Sequence, residues 1–151
     1  MELEQQLQVL IDEAAQYSIA PTIMQQAIAP GFARVAQQLA HLEYYVLQNL
    51  SEDWVISVIS DGKGEKKVIY AFTTVRDARN FNSDQKSEII AISLPVVQIL
   101  FRLFSVQQID SIIFFEQSGN TSGGVELKRR DLQNFLQQQL QQLKTTPRDL
   151  V

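Results

Sequence analysis

The stretch LPVVQILFRLFS, residues 94–105, constrains the fold more than any other part of this chain. Read as a helix, it is apolar nearly all round, and such a helix must be buried on most sides or meet a partner. A chain of 151 residues is long enough to build one core around it without disulfide or metal staples. A bilayer does not provide the burial. Across 89–115 the apolar run is interrupted by Pro95, Arg102, Gln107, Gln108 and Asp110, whereas a span needs about 18 or more apolar residues with few or no charges.

The segments around that helix alternate between two periods. In residues 2–17, Leu3, Leu7, Leu10, Ile11 and Ala14 share one helical face. PTIMQQAIA reads as a short second helix with Pro21 in its first turn. PGF at 30–32 reads as a break, and ARVAQQLAHL as a third helical piece. From Glu43 the pattern changes to short aromatic and β-branched runs, EYYVLQNL, DWVISVIS and KKVIYAF, bounded by SED and DGKGE. These read as an antiparallel meander, with Asp61-Gly62 at a tight reversal. In WVISVI only Ser57 is polar on its side, so this strand is expected to be covered on both faces. TTVRDARNF reads as a short helix capped by Thr73 or Thr74, and EIIAIS, SIIFFE and GVELKR as strands. In the closing segment Leu132, Phe135, Leu136, Leu140 and Leu143 form a helical stripe whose glutamines take the wet face.

The expected class is therefore α+β: a single, mainly antiparallel β-sheet of about six strands with helices packed on it. The order is a helical start followed by β-β-β-α-β-α-β-β-α. One domain is expected over 1–151, with the helical start at 1–42, the sheet and its inserted helices at 43–128, the closing helix at 129–144 and a frayed tail at 145–151.

Composition removes several function classes. The net charge of −4 lacks the basic surplus of a general nucleic-acid binder. KGEKK at 63–67 and KRR at 128–130 read as solvated strand or loop ends. With no cysteine there is no disulfide, thiolate metal site or cysteine nucleophile. The acidic N-terminal segment is unlike a secretory signal, so the expectation is a soluble cytoplasmic protein with no membrane partner.

Chemical motifs are sparse, and no cofactor is implied. Gly119 and Gly124 in SGNTSGGVE have the spacing of a Walker A phosphate loop. The motif then requires Lys and Ser/Thr, and here Val125 and Glu126 stand in those places. The loop also runs into a strand pattern, so no helix N-terminus would face a phosphate. It reads as a hairpin loop with Asn120, Thr121 and Ser122 as turn formers. His41 is the only histidine, too few for a metal cluster, and no GxSxG accompanies it. Glu52-Asp53 and Asp12-Glu13 are adjacent carboxylates that read as surface charge. Glu116 ends an apolar strand and, with Arg76 and Arg79, is the candidate ligand-binding set near the loop. The aromatic residues Tyr44, Tyr45, Trp54, Phe101 and Phe104 are the candidates for a partner groove, set against a plain core role.

Two strings resemble the SseB family, the enhanced-serine-sensitivity proteins. VIYAFTTVRDARNF is similar to that family's strand running into Phe-Thr-Ser/Thr and a short helix. SIIFFEQSGNTSGGVELKRRDLQNFL is similar to its strand, loop, GxEL strand and final DL helix. The likeness covers the last two thirds, from about Glu43. One departure is the loop Gln117-Ser118-Gly119, which has no proline where the family often has an Asn-Pro-Gly-like turn. The resemblance implies a fold and little mechanism. It is consistent with a non-enzymatic binding or adaptor domain that acts through protein contacts, including a homodimer. Two other readings stand beside it: a chaperone-like protein holding a client segment on its sheet, and a small-ligand sensor.

Overall fold

The computed structural model describes residues 1–60, 62–82 and 88–144, without the side chains of 120–122 and 144. The expected tail at 145–151, the turn residue Asp61 and the turn-forming side chains of Asn120, Thr121 and Ser122 lie outside the described residues.

Helix α1 (Leu3–Asp12) begins where the Glu2 backbone N–H donates to the Gln5 side chain at 3.0 Å, which fixes the entry of the chain. A 3₁₀ turn (Ala14–Tyr17) ends at Ser18, which adopts the left-handed conformation. Helix α2 (Pro21–Ile23) starts on Pro21 and passes through a π-turn (Met24–Ile28) directly into α3 (Ala29–Gln37). The expected break at PGF is absent. The π-turn closes with the Ala29 N–H on the Met24 carbonyl, and Pro30 falls in the first turn of α3, where its missing N–H matters least.

The remaining elements are β1 (Glu43–Gln48), β2 (Ser57–Ser60), β3 (Glu65–Ala71), α4 (Val75–Phe81), β4 (Ile90–Pro95), α5 (Val96–Ser105), β5 (Ser111–Gln117), β6 (Asn120–Lys128) and α6 (Arg129–Lys144). This is an α+β fold in the expected order, but the single antiparallel sheet is not what forms. Among the described residues there are two sheets, β1-β4 and β2-β3-β5-β6. In the larger one β3 and β5 run parallel. A parallel neighbour requires a long crossover, and α4, β4 and α5 supply it. The expected meander also fails, because β1 pairs antiparallel with β4 and, of its three strands, β2 and β3 alone pair as a hairpin. Tyr45 and Phe72 stitch the two sheets together by exchanging backbone hydrogen bonds of 2.7 and 2.8 Å.

Register divides the larger sheet into two packed faces. Ile69, Ile112 and Leu127 lie side by side across β3, β5 and β6. With Phe114 they meet the helical layer, where Val97, Ile99, Leu100 and Leu103 of α5 are buried beside Leu10, Phe32, Leu132 and Leu136. The apolar α5 is thus buried on most of its surface, as its composition demands. The opposite face carries Phe72 and Phe115, covered by Ala78 of α4 and Leu47 of β1. Strand β2 is covered less than expected: Ile56 and Val58 are 39% and 56% exposed. It is an edge strand, and an edge strand can extend past the helices that shield its neighbours.

Candidate functional site

Two concavities, of about 230 and 430 Å³, open along one flank of α5. Tyr17, Gln98 and Phe101 line both, which makes them one groove between the N-terminal helical segment and α5. Val9 and Leu10 form its wall on α1, and Phe104 its far end on α5. The Tyr17 and Phe101 rings lie 4.5 Å apart between centroids, and Phe32 braces Phe101 and Phe104 edge-on from below. Tyr17 donates to Glu13 at 3.2 Å; partial burial first, and then that carboxylate, hold its hydroxyl above the usual pKa. Glu13 lies on the α1 side of the groove beside Tyr17, and Arg102 on the α5 side. The Arg102 guanidinium lies 4.9 Å above the Trp54 ring.

The five aromatic candidates do not form one surface. Phe101 and Phe104 line the groove, while Trp54 is buried behind Arg102. Tyr44 is wholly buried, edge-on to Phe114 at 5.0 Å, and its hydroxyl accepts the His41 backbone N–H at 3.2 Å. Burial raises its pKa, and backbone bonds from His41 and Ala40 oppose the rise. Tyr45 is half-buried on the other sheet face. Alternation along β1 explains the split, since neighbouring tyrosines point to opposite faces.

The ligand set proposed around the β5–β6 loop is also dispersed. Glu116, Arg76 and Arg79 are exposed, and among the described residues neither arginine pairs with Glu116. Glu116 contributes its backbone carbonyl, 2.9 Å from Nε2 of the exposed His41. The loop is shorter than its sequence suggests. Gly119 takes φ +78° in a tight turn, and β6 resumes at Asn120. Gly124 sits inside β6 opposite Phe115, where a Cβ would stand 3.0 Å from both Ile113 Cγ2 and the Phe114 carbonyl oxygen. The two Walker-like glycines therefore serve unrelated needs, one a turn and one a close strand approach.

The residue that meets the turn is Asp77. Its Oδ2 accepts the Gly119 N–H at 2.9 Å and the Thr73 hydroxyl at 3.4 Å, while its own N–H donates to Thr74 Oγ1 at 3.1 Å. Thr74 is the N-cap of α4, as one of the two expected caps. The Thr-x-x-Asp spacing of 74–77 is a capping-box signal, and it is the sign in the sequence that Asp77 points back along the chain. A hollow of about 340 Å³ opens here, lined by Asp77, Asn80, Phe81 and Gly119. On the same sheet a second polar cluster joins three strands: Glu126 accepts from Lys66 and from Ser111, the latter at 2.8 Å.

Among the described residues no group of three or more His, Asp or Glu is placed to hold a metal ion, and no helix is long and apolar enough to cross a membrane. Compared with known proteins, the chain is matched by no family model and by no curated protein.

Proposed function

We propose that this chain is a non-enzymatic protein-binding module of SseB-like type, and that its partner at the α5 groove is a second copy of itself. The observation that carries the reading is the groove's makeup. Phe101 and Tyr17 form an apolar floor beside exposed Val9, with an acid, Glu13, on the α1 side and a base, Arg102, on the α5 side. A two-fold copy laid antiparallel along the groove brings Glu13 of one chain to Arg102 of the other, as a self-complementary contact requires.

Light scattering at micromolar concentration tests it. A dimer is expected, with Val9→Glu converting it to a monomer that keeps the fold, because Val9 is exposed. Glu13→Arg and Arg102→Glu should each weaken the dimer, and the two together should restore it. A strict monomer, or a dimer indifferent to all these changes, overturns the reading.

A chaperone-like alternative rests on a different observation: β6, nine residues long and without proline, is the outer strand of its sheet. Such an edge is where a client strand would add. Recovery of extended client segments in a pull-down, in place of self-association, would favour it.

A further inference from the structure

We infer that the hollow between α4 and the β5–β6 turn is a binding site for an alkylammonium group, the –NH₃⁺ of a small amine or of a lysine side chain. The inference is independent of the groove and rests on the state of Asp77.

Asp77 is only 7% exposed, yet it is a carboxylate with half of its acceptor capacity unused. An ionised carboxylate offers about four lone-pair sites. Oδ2 serves Gly119 and Thr73, while Oδ1 takes no hydrogen bond among the described residues and, since none of their buried side-chain oxygens lacks a partner, it is open to solvent at the hollow that Asp77 lines. Both donors are neutral; the N-terminus of α4, in whose first turn Asp77 lies, is the favourable field beside them, and among the described residues no cationic side chain pairs with Asp77. Buried charge is costly unless it is paired. The helix carries two cations, Arg76 and Arg79, but residues one and two apart on a helix do not face each other, and neither pairs with Asp77. Asp77, Asn80 and Phe81 are three and four residues apart and so share one face, the face that lines the hollow.

The chemistry selects the ligand. An anion is repelled by Asp77. A divalent cation needs six or so oxygen ligands, and among the described residues the hollow supplies one carboxylate and one side-chain amide. An alkylammonium has three donors and a single charge. Asp77 Oδ1 can take one donor, the Asn80 amide oxygen a second, and the Phe81 ring can face the charge or its first methylenes. Phe81 is 44% exposed, and its ring is held 4.8 Å from Tyr70 and 5.4 Å from Phe72, so the aromatic wall exists before the ligand arrives.

The test is an amide-resolved NMR titration of the full chain with n-butylammonium chloride. Saturable shifts are expected at Asp77, Asn80, Phe81 and Gly119, with a dissociation constant on the order of millimolar, as one charged hydrogen bond and one ring contact provide. Asp77→Asn keeps an acceptor for Gly119 and removes the charge, and should weaken binding by about tenfold or more. Phe81→Leu should weaken it by roughly threefold. If Asp77→Asn does not fold, Phe81→Leu decides alone, since its ring is nearly half in solvent. A capped Gly-Lys-Gly peptide is titrated in parallel: tighter binding than butylammonium assigns the site to a protein lysine, and equal or weaker binding assigns it to a free amine. Shifts that fail to saturate and spread over the surface carboxylates overturn the site. So does an affinity that neither variant changes.

Discussion

The side-chain oxygen of Gln6 accepts the backbone N–H of Val97 at 3.0 Å, joining α1 to the start of α5 across 91 residues of chain. Helix α5 has Pro95 at its N-cap and no side-chain cap of its own, so a distant helix supplies one. The Gln6 amide also donates to the Met1 and Leu42 carbonyls, both at 3.0 Å. Gln6→Met keeps the volume and leaves the Val97 N–H and Leu42 carbonyl without these partners. A loss of about 2–3 kcal/mol is expected in urea unfolding; a midpoint within error of the parent would show that water replaces the amide.

Thr74 and Asp77 act on the same helix end but not on the same partners. Thr74→Ala removes the cap of α4 and should lower stability by about 1 kcal/mol. Asp77→Ala should in addition free the Gly119 amide, whose bond crosses to the turn. Amide exchange distinguishes them: Gly119 accelerates in Asp77→Ala and stays protected in Thr74→Ala. Equal acceleration in both would mean that the turn follows the helix and not the carboxylate.

These relationships mark the boundary of what local pattern reveals. The Leu132 and Leu136 stripe, the Thr74 cap and the nearly all-apolar α5 were legible because each is set by residues within a turn or two of one another. Pairing was not. The alternation in β1 says that Tyr44 and Tyr45 face opposite ways, and nothing in it says that Ser93 of β4 lies opposite Tyr45. The same limit hid the site. Arg76, Arg79 and Glu116 attract notice by charge, whereas Asp77 matters through a turn glycine 42 residues away. Ile56 and Val58 misled for a related reason, since burial of a strand face depends on which helix reaches it.

The Lys66–Glu126–Ser111 cluster predicts an acid dependence. The bond from Lys66, aided by Ser111 and opposed by burial, lowers the Glu126 pKa below its ordinary 4.5. The folded state therefore binds this proton less readily than the unfolded one. The resulting stabilisation is complete above the ordinary value and is lost as pH falls through the lower folded one. Glu126→Gln should flatten the melting temperature between about pH 5 and 3 relative to the parent. Parallel acid limbs in the two proteins would remove Glu126 as a cause.

Gly31 is a helix glycine with a packing reason. A Cβ there would stand 2.5 Å from Leu136 Cδ2, itself buried, where α3 meets α6. Helix propensity favours alanine by about 1 kcal/mol, but overpacking outweighs it, and Gly31→Ala should destabilise by about 1–2 kcal/mol. In a Leu136→Ala background the same substitution should become neutral or stabilising, a coupling that a double-mutant cycle measures directly. Additive effects would place the strain elsewhere.

The parallel pairing of β3 with β5 also governs the order in which the molecule can be completed. As the chain leaves the ribosome, β3 emerges with its hairpin partner β2 and, past its end, the Tyr45–Phe72 bridge to β1, while the edge that β5 will cover stays open through all of α4, β4 and α5. Such distant pairing closes late and leaves an edge open in the meantime. Ile69 and Ala71 gain their neighbours Ile112 and Phe114 only when β5 is in place. Strand β5 and the hairpin it forms with β6 therefore close the sheet, and until they arrive the growing polypeptide is an open sheet that needs shielding from its neighbours.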